Sequence, residues 1–257
     1  MMNLKLANIF LITAITLIAF TGCGRSQDPL LGAVSPAEAT MDEMTMVDME
    51  NGPVSLVWLV DYPEGAKDVY LTWIASIAST LQAPDEVKRI RSYDNVEDVS
   101  PHRFVEFEFD SFLDAAAYMN RPEIAAVFED LPNHATKVSA HTFIERSDYA
   151  KTEKQDWPIK GIIFIEYPLG GKAAYLEWVD SISSALVGPP QLKGVASYDN
   201  YNGESPHRLV TMEFETQEDV TAYEALEEIM AIEAELDVRA ASWVLHTFEL
   251  RSDYINE

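Results

Sequence analysis

The spacing of apolar residues along the chain predicts strands and helices in a definite order. The segment Val54–Tyr62 is rich in β-branched and aromatic residues, which is typical of a strand. After a Pro/Gly turn, apolar side chains recur at spacings of three and four residues at Tyr70, Trp73, Ile77 and Leu81. Because an α-helix has 3.6 residues per turn, this spacing predicts an amphipathic helix with one buried face.

The same segment continues with a second helix and three more strands. One strand ends at "SYDN", and the stretch "SPHRFVEFEF" alternates between polar and apolar residues as a further strand does. Ser111 is a good N-cap for a second helix, with Asp114 three residues later, and the last predicted strand carries "HTF". The predicted order is βαββαβ, the ferredoxin-like split unit.

This whole pattern occurs twice. Residues 54–149 align with residues 159–254 at a constant shift of 105 without a gap, and roughly forty per cent of the aligned positions are identical. The shared stretches include "YLxW", "SYDN", "SPHR" and a closing "HTFxxRSDY". A copy of this length is the size of a domain rather than of a solenoid repeat. The sequence therefore predicts a tandemly duplicated domain.

The element order and the duplication together predict how the two copies meet. A four-stranded sheet with helices on one face needs a cover for its other face. The pattern resembles the dimeric α/β-barrel superfamily, which includes EthD-like, NIPSNAP-like, stress-responsive barrel and antibiotic-monooxygenase-like domains. The resemblance implies an α+β fold in which two tandem ferredoxin-like βαββαβ units pair their antiparallel sheets into one pseudo-dimeric α/β barrel. The resemblance assigns no catalytic residue to this chain.

The N-terminus predicts export. Lys5 precedes an apolar run that is too short to span a bilayer as a finished helix, and the run ends at "TGC" with Cys23, the only cysteine. This arrangement resembles the lipobox of bacterial lipoproteins, in which the cysteine is lipidated. The predicted division is a signal peptide over 1–22, an acidic Met-containing tether with a short helix over 23–52, repeats over 53–149 and 159–257, and a linker over 150–158.

The net charge of the chain limits the classes of partner that it can bind. The sequence holds 43 acidic and 18 basic residues, a formal net charge of -25. Because this charge repels phosphate backbones, we expect no nucleic-acid partner. The expected partners are the membrane, through a lipid anchor at Cys23, a small apolar ligand, and a protein of the envelope. The expected location is the periplasmic face of the outer membrane.

Several residues of the repeats are candidates for a ligand site. On the predicted third strand, Val105, Phe107 and Phe109 form the row expected to face the helices, which leaves Phe104 and Glu106 to face the barrel interior. Histidines titrate near neutral pH and can handle protons or orient a ligand. The spacing of the histidines predicts no metal site, and we expect no cofactor. The candidate ligand-binding residues are His102, His207, His141, His246, Glu106 and Tyr93.

The phrase "SPHR" also has a structural interpretation, which we favour. Asp94 with Arg103 in the first copy, and Asp199 with Arg208 in the second, would brace the hairpin between the second and third strands. A single active site normally needs each of its residues once, whereas this phrase is complete in both copies.

Three functions remain compatible with the sequence, since no nucleophile elbow, phosphate loop or dinucleotide fingerprint is present. The first is a lipid-anchored module that binds a small apolar or aromatic molecule in the barrel. The second is a cofactor-free enzyme, a monooxygenase, isomerase or cyclase, on a hydrophobic substrate. The third is a protein-interaction module without a ligand. An open interior lined by His and Glu would favour the first two, and an interior filled by Trp58, Phe104 and similar residues would favour the third.

Overall fold

The computed structural model describes residues 52–152 and 157–256, and for residues 147–152 it describes the backbone only. The predicted signal peptide, Cys23 and the tether as far as Asn51 lie outside the described residues. Among the helices of the described part, none is both long and apolar enough to cross a membrane.

The described residues form two series of elements in the same order. The first series is β1 (Val54–Asp61), α1 (Lys67–Gln82), β2 (Val87–Asn95), β3 (Arg103–Phe109), α2 (Phe112–Met119), α3 (Pro122–Asp130), a 3₁₀ turn (Leu131–Asn133) and β4 (Lys137–Thr152). The second series is β5 (Ile159–Glu166), α4 (Lys172–Val187), β6 (Leu192–Asn200), β7 (Arg208–Phe214), α5 (Gln217–Glu224), α6 (Glu227–Arg239) and β8 (Ser242–Ile255).

The second predicted helix of each series begins where expected and then breaks into two. Ser111 Oγ accepts a hydrogen bond from the backbone N–H of Asp114 at 3.1 Å, which confirms the predicted cap. The helix stops at Asn120, and Pro122 stands at the first position of α3. Proline has no N–H to continue the hydrogen bonding of a preceding helix, but it is well suited to begin a new one.

The eight strands of the described residues form one closed antiparallel barrel with the order β1-β3-β2-β8-β5-β7-β6-β4. The six helices lie outside this barrel, and the fold is α+β. Two pairings join the first series to the second: β2 with β8, and β4 with β6. The barrel therefore closes only because strands of both halves pair with each other.

The two faces of each strand pack against different neighbours. Val105, Phe107 and Phe109 lie in the core beneath the helices, while Phe104 packs inside the barrel, so the assignment of these two faces is confirmed. Of the two residues whose place in the barrel interior would favour an interaction module, Phe104 lies there and Trp58 does not. Trp58 lies on the opposite face of β1, with its ring 4.7 Å from that of Phe107.

Side chains fill the centre of the barrel. Aromatic and aliphatic residues from both halves meet there, and none of them is more than 6% exposed. Cavities are left at the two ends of the barrel, on either side of this apolar centre. The residues of the centre are Val57, Tyr93, Phe104, Phe143, Ile162, Phe164, Leu209 and Phe248.

Candidate functional site

The first "SPHR" phrase attaches the β2–β3 loop to the end of β1. Asp61 at that end accepts a hydrogen bond from Ser100 Oγ at 2.7 Å and one from the backbone N–H of His102 at 3.1 Å. Asn95 Nδ2 donates to the carbonyl oxygen of Pro101 at 3.0 Å, and the Ser100–Pro101 peptide is cis. The His102 ring stacks on Tyr62 rather than facing a cavity.

The second phrase repeats the serine and asparagine contacts of the first. Asn200 Nδ2 donates to the carbonyl oxygen of Pro206 at 3.1 Å, and Ser205 Oγ donates to Glu166, which ends β5 as Asp61 ends β1. His207 Nδ1 lies 2.5 Å from Glu166 Oε2. Both copies therefore use the phrase to attach the loop between two strands to the end of a third strand.

The arginine and the aspartate of each predicted hairpin brace lie within ion-pair distance, and the carboxylates also link the two halves. Arg103 Nε lies 3.6 Å from Asp94 Oδ1, and Arg208 Nη1 lies 3.8 Å from Asp199 Oδ1. Closer arginines come from the partner half. Arg251 of β8 donates to Asp94 at 3.0 Å, and Arg146 of β4 donates to Asp199 at 2.8 Å. Each brace therefore lies at a junction between the halves.

The other two candidate histidines lie together at one end of the barrel. His141 and His246 line a cavity of about 510 Å³ with Asp61 and Glu166, and we call this end the histidine mouth. Burial lowers the pKa of both histidines, although nearby carboxylates oppose the shift. Both rings therefore favour the neutral form, which can accept a hydrogen bond, more than a free histidine does.

Glu106 and Tyr93 lie away from the histidine mouth. Glu106 Oε2 is 3.0 Å from both Lys160 Nζ and Arg91 Nη2, and Lys160 Nζ lies 4.8 Å from the centre of the Tyr93 ring. Burial alone would raise the pKa of Glu106, but the two cations outweigh it and lower that pKa to about 2. We call this group, with Glu213, the charged end; Arg91, Lys160 and Glu213 border a cavity of about 310 Å³ there. The apolar centre separates the charged end from the histidines, so the six candidates do not form one site.

A further cavity lies outside the barrel, between the strands and the helices of the second half. It measures about 60 Å³ and is almost entirely apolar, and we call it the C-terminal cavity. The sequence analysis did not identify it. Its wall includes residues of β5, β7 and β8 and of all three helices of that half, among them Gly161, Ile163, Trp178, Met212, Tyr223, Glu224, Glu233 and Trp243.

The first half is a natural control for this cavity, since it has the same fold with a filled core. There Trp58 packs against Phe107 and meets the edge of Phe128 at 4.2 Å between ring centres. At the shift of 105, Trp58 corresponds to Ile163 and Phe107 to Met212, and Leu56 corresponds to Gly161. Each change removes side-chain volume from the layer between sheet and helices. Comparison of the two copies at buried positions was the signal that could have located the cavity from sequence.

Trp178 is a wall residue of this cavity, and its indole N–H is unsatisfied. The residue is 6% exposed, and its Nε1 has no hydrogen-bond partner among the described residues. In the first half, Trp73 Nε1 donates to Asp130 Oδ2 at 2.9 Å. Glu235 stands where Asp130 would be, but it accepts a hydrogen bond from Arg239 instead. The tryptophan is thus retained in both halves, whereas its acceptor is lost in the second.

Two carboxyl groups also line the C-terminal cavity. Burial raises the pKa of Glu224, and Glu97 raises it further. Burial likewise raises the pKa of Glu233, with Glu224 and Asp237 as additional causes. The wall of the cavity is therefore mainly apolar, and it includes a tryptophan whose N–H has no partner among the described residues and two carboxyl groups with raised pKa values.

Solved structures share this fold at low sequence identity. An anthrone oxidase-like protein superimposes with a TM-score of 0.63 at 10% identity, covering 80% of this chain and 94% of that chain. A putative monooxygenase from Fusobacterium nucleatum subsp. nucleatum ATCC 25586 gives 0.61 at 8% identity, with coverages of 80% and 95%. A putative monooxygenase from Lactobacillus acidophilus NCFM gives 0.55 at 14% identity, with coverages of 79% and 96%.

These similarities concern the fold alone. They agree with the α+β fold and the closed antiparallel barrel described above. No protein-family model matches the chain, and no curated protein matches it either.

Proposed function

We propose that this protein binds a small, flat, mainly apolar molecule that carries one hydrogen-bond acceptor, and that it does so in the C-terminal cavity. The observation that carries the proposal is a mainly apolar cavity whose wall includes Trp178, a buried tryptophan whose Nε1–H has no hydrogen-bond partner among the described residues. Leaving a buried donor unsatisfied costs about 1–3 kcal/mol. A ligand with a carbonyl oxygen would recover that free energy.

The C-terminal cavity is a better place for this ligand than the barrel interior. The sequence analysis placed the ligand inside the barrel. The barrel interior is filled, however, and a filled interior by itself favours a protein-interaction module. The volume lost at Gly161, Ile163 and Met212 instead lies beneath the helices, where the equivalent residues of the first half fill the space. Apolar walls with a few polar groups are typical of small-molecule sites.

The size of the cavity limits the ligand. A cavity of about 60 Å³ is smaller than the ~150 Å³ that holds benzene in an engineered apolar core. A single ring therefore enters only if a wall side chain moves. Met212 is suited to this because methionine is unbranched and adapts its rotamers easily. We expect planar ligands of one or two rings that insert edge-on.

The experiment compares two ligands of nearly equal shape, 2-indanone and indane, which differ by a carbonyl group. Each is titrated into ¹⁵N-labelled protein, and the indole N–H signals of the 5 tryptophans are followed by NMR. We expect 2-indanone to move the Trp178 signal downfield and to bind about tenfold more tightly than indane. The Trp73 signal is the internal control, since that N–H is already bonded to Asp130.

A variant that refills the cavity separates specific from general binding. Gly161→Leu restores the residue of the first half, and its Cβ would lie 3.2 Å from Met212 Cε, the end of a flexible side chain. We expect this variant to fold and to lose 2-indanone binding. Unchanged binding in Gly161→Leu, or a Trp178 signal that does not move in the parent protein, would refute the proposed site.

A cofactor-free enzyme is the second candidate function. The structural neighbours, two putative monooxygenases and an anthrone oxidase-like protein, support it as an alternative. The two carboxyl groups that line the cavity support an enzyme as well, because a site that only binds an apolar molecule does not need acidic side chains.

We also propose that the barrel is a pseudo-dimer made by tandem duplication. The gapless repeat over 54–149 and 159–254 supports this, as do the β2–β8 and β4–β6 pairings and the equivalent "SPHR" contacts of the two halves. One half would then keep a filled core for stability while the other is free to diverge into a binding site.

We further propose that the protein is an exported lipoprotein held at the membrane by Cys23, on the periplasmic face of the outer membrane. The apolar run that ends at this sole cysteine supports the proposal. A tether of about thirty residues would let the barrel meet ligands, or a protein partner, in the envelope.

A further inference from the structure

The histidine mouth holds a serine–histidine pair that only one half of the chain provides. Ser139 Oγ lies 2.5 Å from His141 Nε2, which is hydrogen-bond distance. His246 is the equivalent of His141 in the second half, but Val244 stands where the serine would be. The second half therefore has the histidine without the serine.

Strand geometry directs both side chains of the pair into the barrel. Successive side chains of a strand point to opposite faces, so Ser139 and His141 share one face of β4. Val138 lies on the other face and packs on the core beneath the helices, whereas Phe143, on the face of the pair, packs in the barrel centre. Ser139 and His141 both line the cavity of about 510 Å³ at the histidine mouth. A molecule that enters the mouth therefore meets both residues.

We propose that Ser139 is a nucleophile activated by His141, and that the histidine mouth hydrolyses small, neutral carboxylic esters. This activity goes beyond ligand binding in the C-terminal cavity, which lies outside the barrel. A volume of about 510 Å³ is within the range of small-molecule sites. Asp61 and Glu166 line the same cavity, and their negative charges disfavour an anionic substrate.

The reaction needs water as its only co-reactant. Ser139 Oγ attacks the carbonyl carbon of the ester while His141 Nε2 takes the hydroxyl proton, and the C=O π electrons move onto oxygen. When this oxyanion collapses, the C–O bond to the alcohol breaks and Nε2 gives its proton to the leaving oxygen. Water then attacks the acyl-serine while Nε2 takes a proton from it. Release of the acid returns that proton to Ser139 Oγ.

The charges around the pair suit these steps. Burial lowers the pKa of His141, so its ring favours the neutral form that can accept a proton. The carboxylates of Glu166 and Glu204 act in the opposite direction, and they stabilise the imidazolium that forms when Ser139 loses its proton. Lys137, two residues before Ser139 on the same face of β4, also lines the cavity. Its positive charge favours the oxyanion.

A fluorophosphonate probe tests the nucleophile, because such probes form a stable bond with activated serines. The full chain is treated with the probe, and mass spectrometry of the intact protein and of its peptides locates the label. We expect one label, on Ser139, and none in Ser139→Ala. Labelling of His141→Gln should be about 10²-fold slower, which is the low end of general-base catalysis.

Ser242 is the matched control, since it lines the same cavity but has Val244, not a histidine, two residues later. Ser242→Ala should take the label at the rate of the parent. Hydrolysis of p-nitrophenyl acetate gives a second readout. The parent should release a burst of p-nitrophenol and carry an acetyl group on Ser139, and Ser139→Ala should do neither.

The label is located in the parent protein, so the test does not depend on the folding of any variant. A parent that takes no label, or carries it on another residue, would refute the inference. Labelling of Ser139 at an equal rate in His141→Gln would show that the histidine does not activate the serine, and would refute it as well. The response of the Trp178 signal to 2-indanone is a separate measurement, so the binding proposal stands or falls independently.

Discussion

Removing the charge of Lys160 should destabilise the barrel more than any surface substitution. Lys160 and Glu106 are 2% and 1% exposed at their side chains, and Nζ lies 3.0 Å from Oε2. Lys160→Met would leave a buried carboxylate with only Arg91 close to it. The loss of one partner from a buried ion pair costs about 3–5 kcal/mol. Because Arg91 remains 3.0 Å from the same oxygen, we expect a cost near the lower limit of that range.

The shifted pKa of Glu106 gives a free energy of similar size. The fold lowers this pKa from 4.5 to about 2. At 1.36 kcal/mol per unit, that shift corresponds to about 3 kcal/mol of preference for the ionised form in the folded state. This part of the stability is present above the unfolded pKa near 4.5 and is lost as the pH falls toward 2. Glu106→Gln should therefore lack this part of the acid dependence.

Urea unfolding at pH 7 of the parent, Lys160→Met, Glu106→Gln and the double variant measures the interaction. We expect each single variant to lose about 3 kcal/mol and the double variant to lose at least about 2 kcal/mol less than their sum, because neither charge is then left alone. Additive losses, or a cost below about 1 kcal/mol for Lys160→Met, would show that the buried pair is not coupled as the distances indicate.

Three further predictions concern the anchor, the barrel and the brace. In cells grown with a clickable fatty acid, the parent protein should become labelled and the Cys23→Ser variant should not. Equal labelling of the two proteins would exclude lipidation at that residue. Residues 53–151 expressed alone should dimerise or aggregate, because half of the barrel exposes its apolar interior; a monomer with the thermal midpoint of the whole chain would contradict this. Arg103→Ala and Arg208→Ala should each lower the free energy of unfolding by about 1 kcal/mol in urea titrations, and a cost confined to one of them would end the interpretation as equivalent braces.

Local patterns were sufficient to predict the elements and their order. The alternation in "SPHRFVEFEF", the spacing of Tyr70 and Trp73, and the Ser111 cap act within one strand or one turn of helix, so neighbouring residues determine them. The faces of β3 followed from the same alternation. The break of the second helix was missed in both halves, although Pro122 signals it in the first; Glu227 stands at the equivalent position of the second. The barrel was expected from a resemblance and from the uncovered sheet face, and the strand pairing agrees with it.

Which candidate residues lie close together depends on contacts between distant parts of the chain, and no local sequence pattern contains that information. Glu106 and His102 are close in sequence but lie toward different ends of a barrel whose filled centre separates them, because β3 runs the length of that barrel. The Arg251–Asp94 contact spans 157 residues and exists only once β2 pairs with β8.

The C-terminal cavity shows most clearly what only tertiary structure decides. Alignment of the two copies shows that Leu56 and Trp58 correspond to the smaller residues Gly161 and Ile163. Neighbouring side chains often compensate for such a loss of side-chain volume. Packing in three dimensions leaves the space open and keeps Trp178 on its wall without an acceptor. Whether a missing side chain leaves a cavity depends on how helices from elsewhere in the chain settle onto the sheet, and that is a property of the folded molecule.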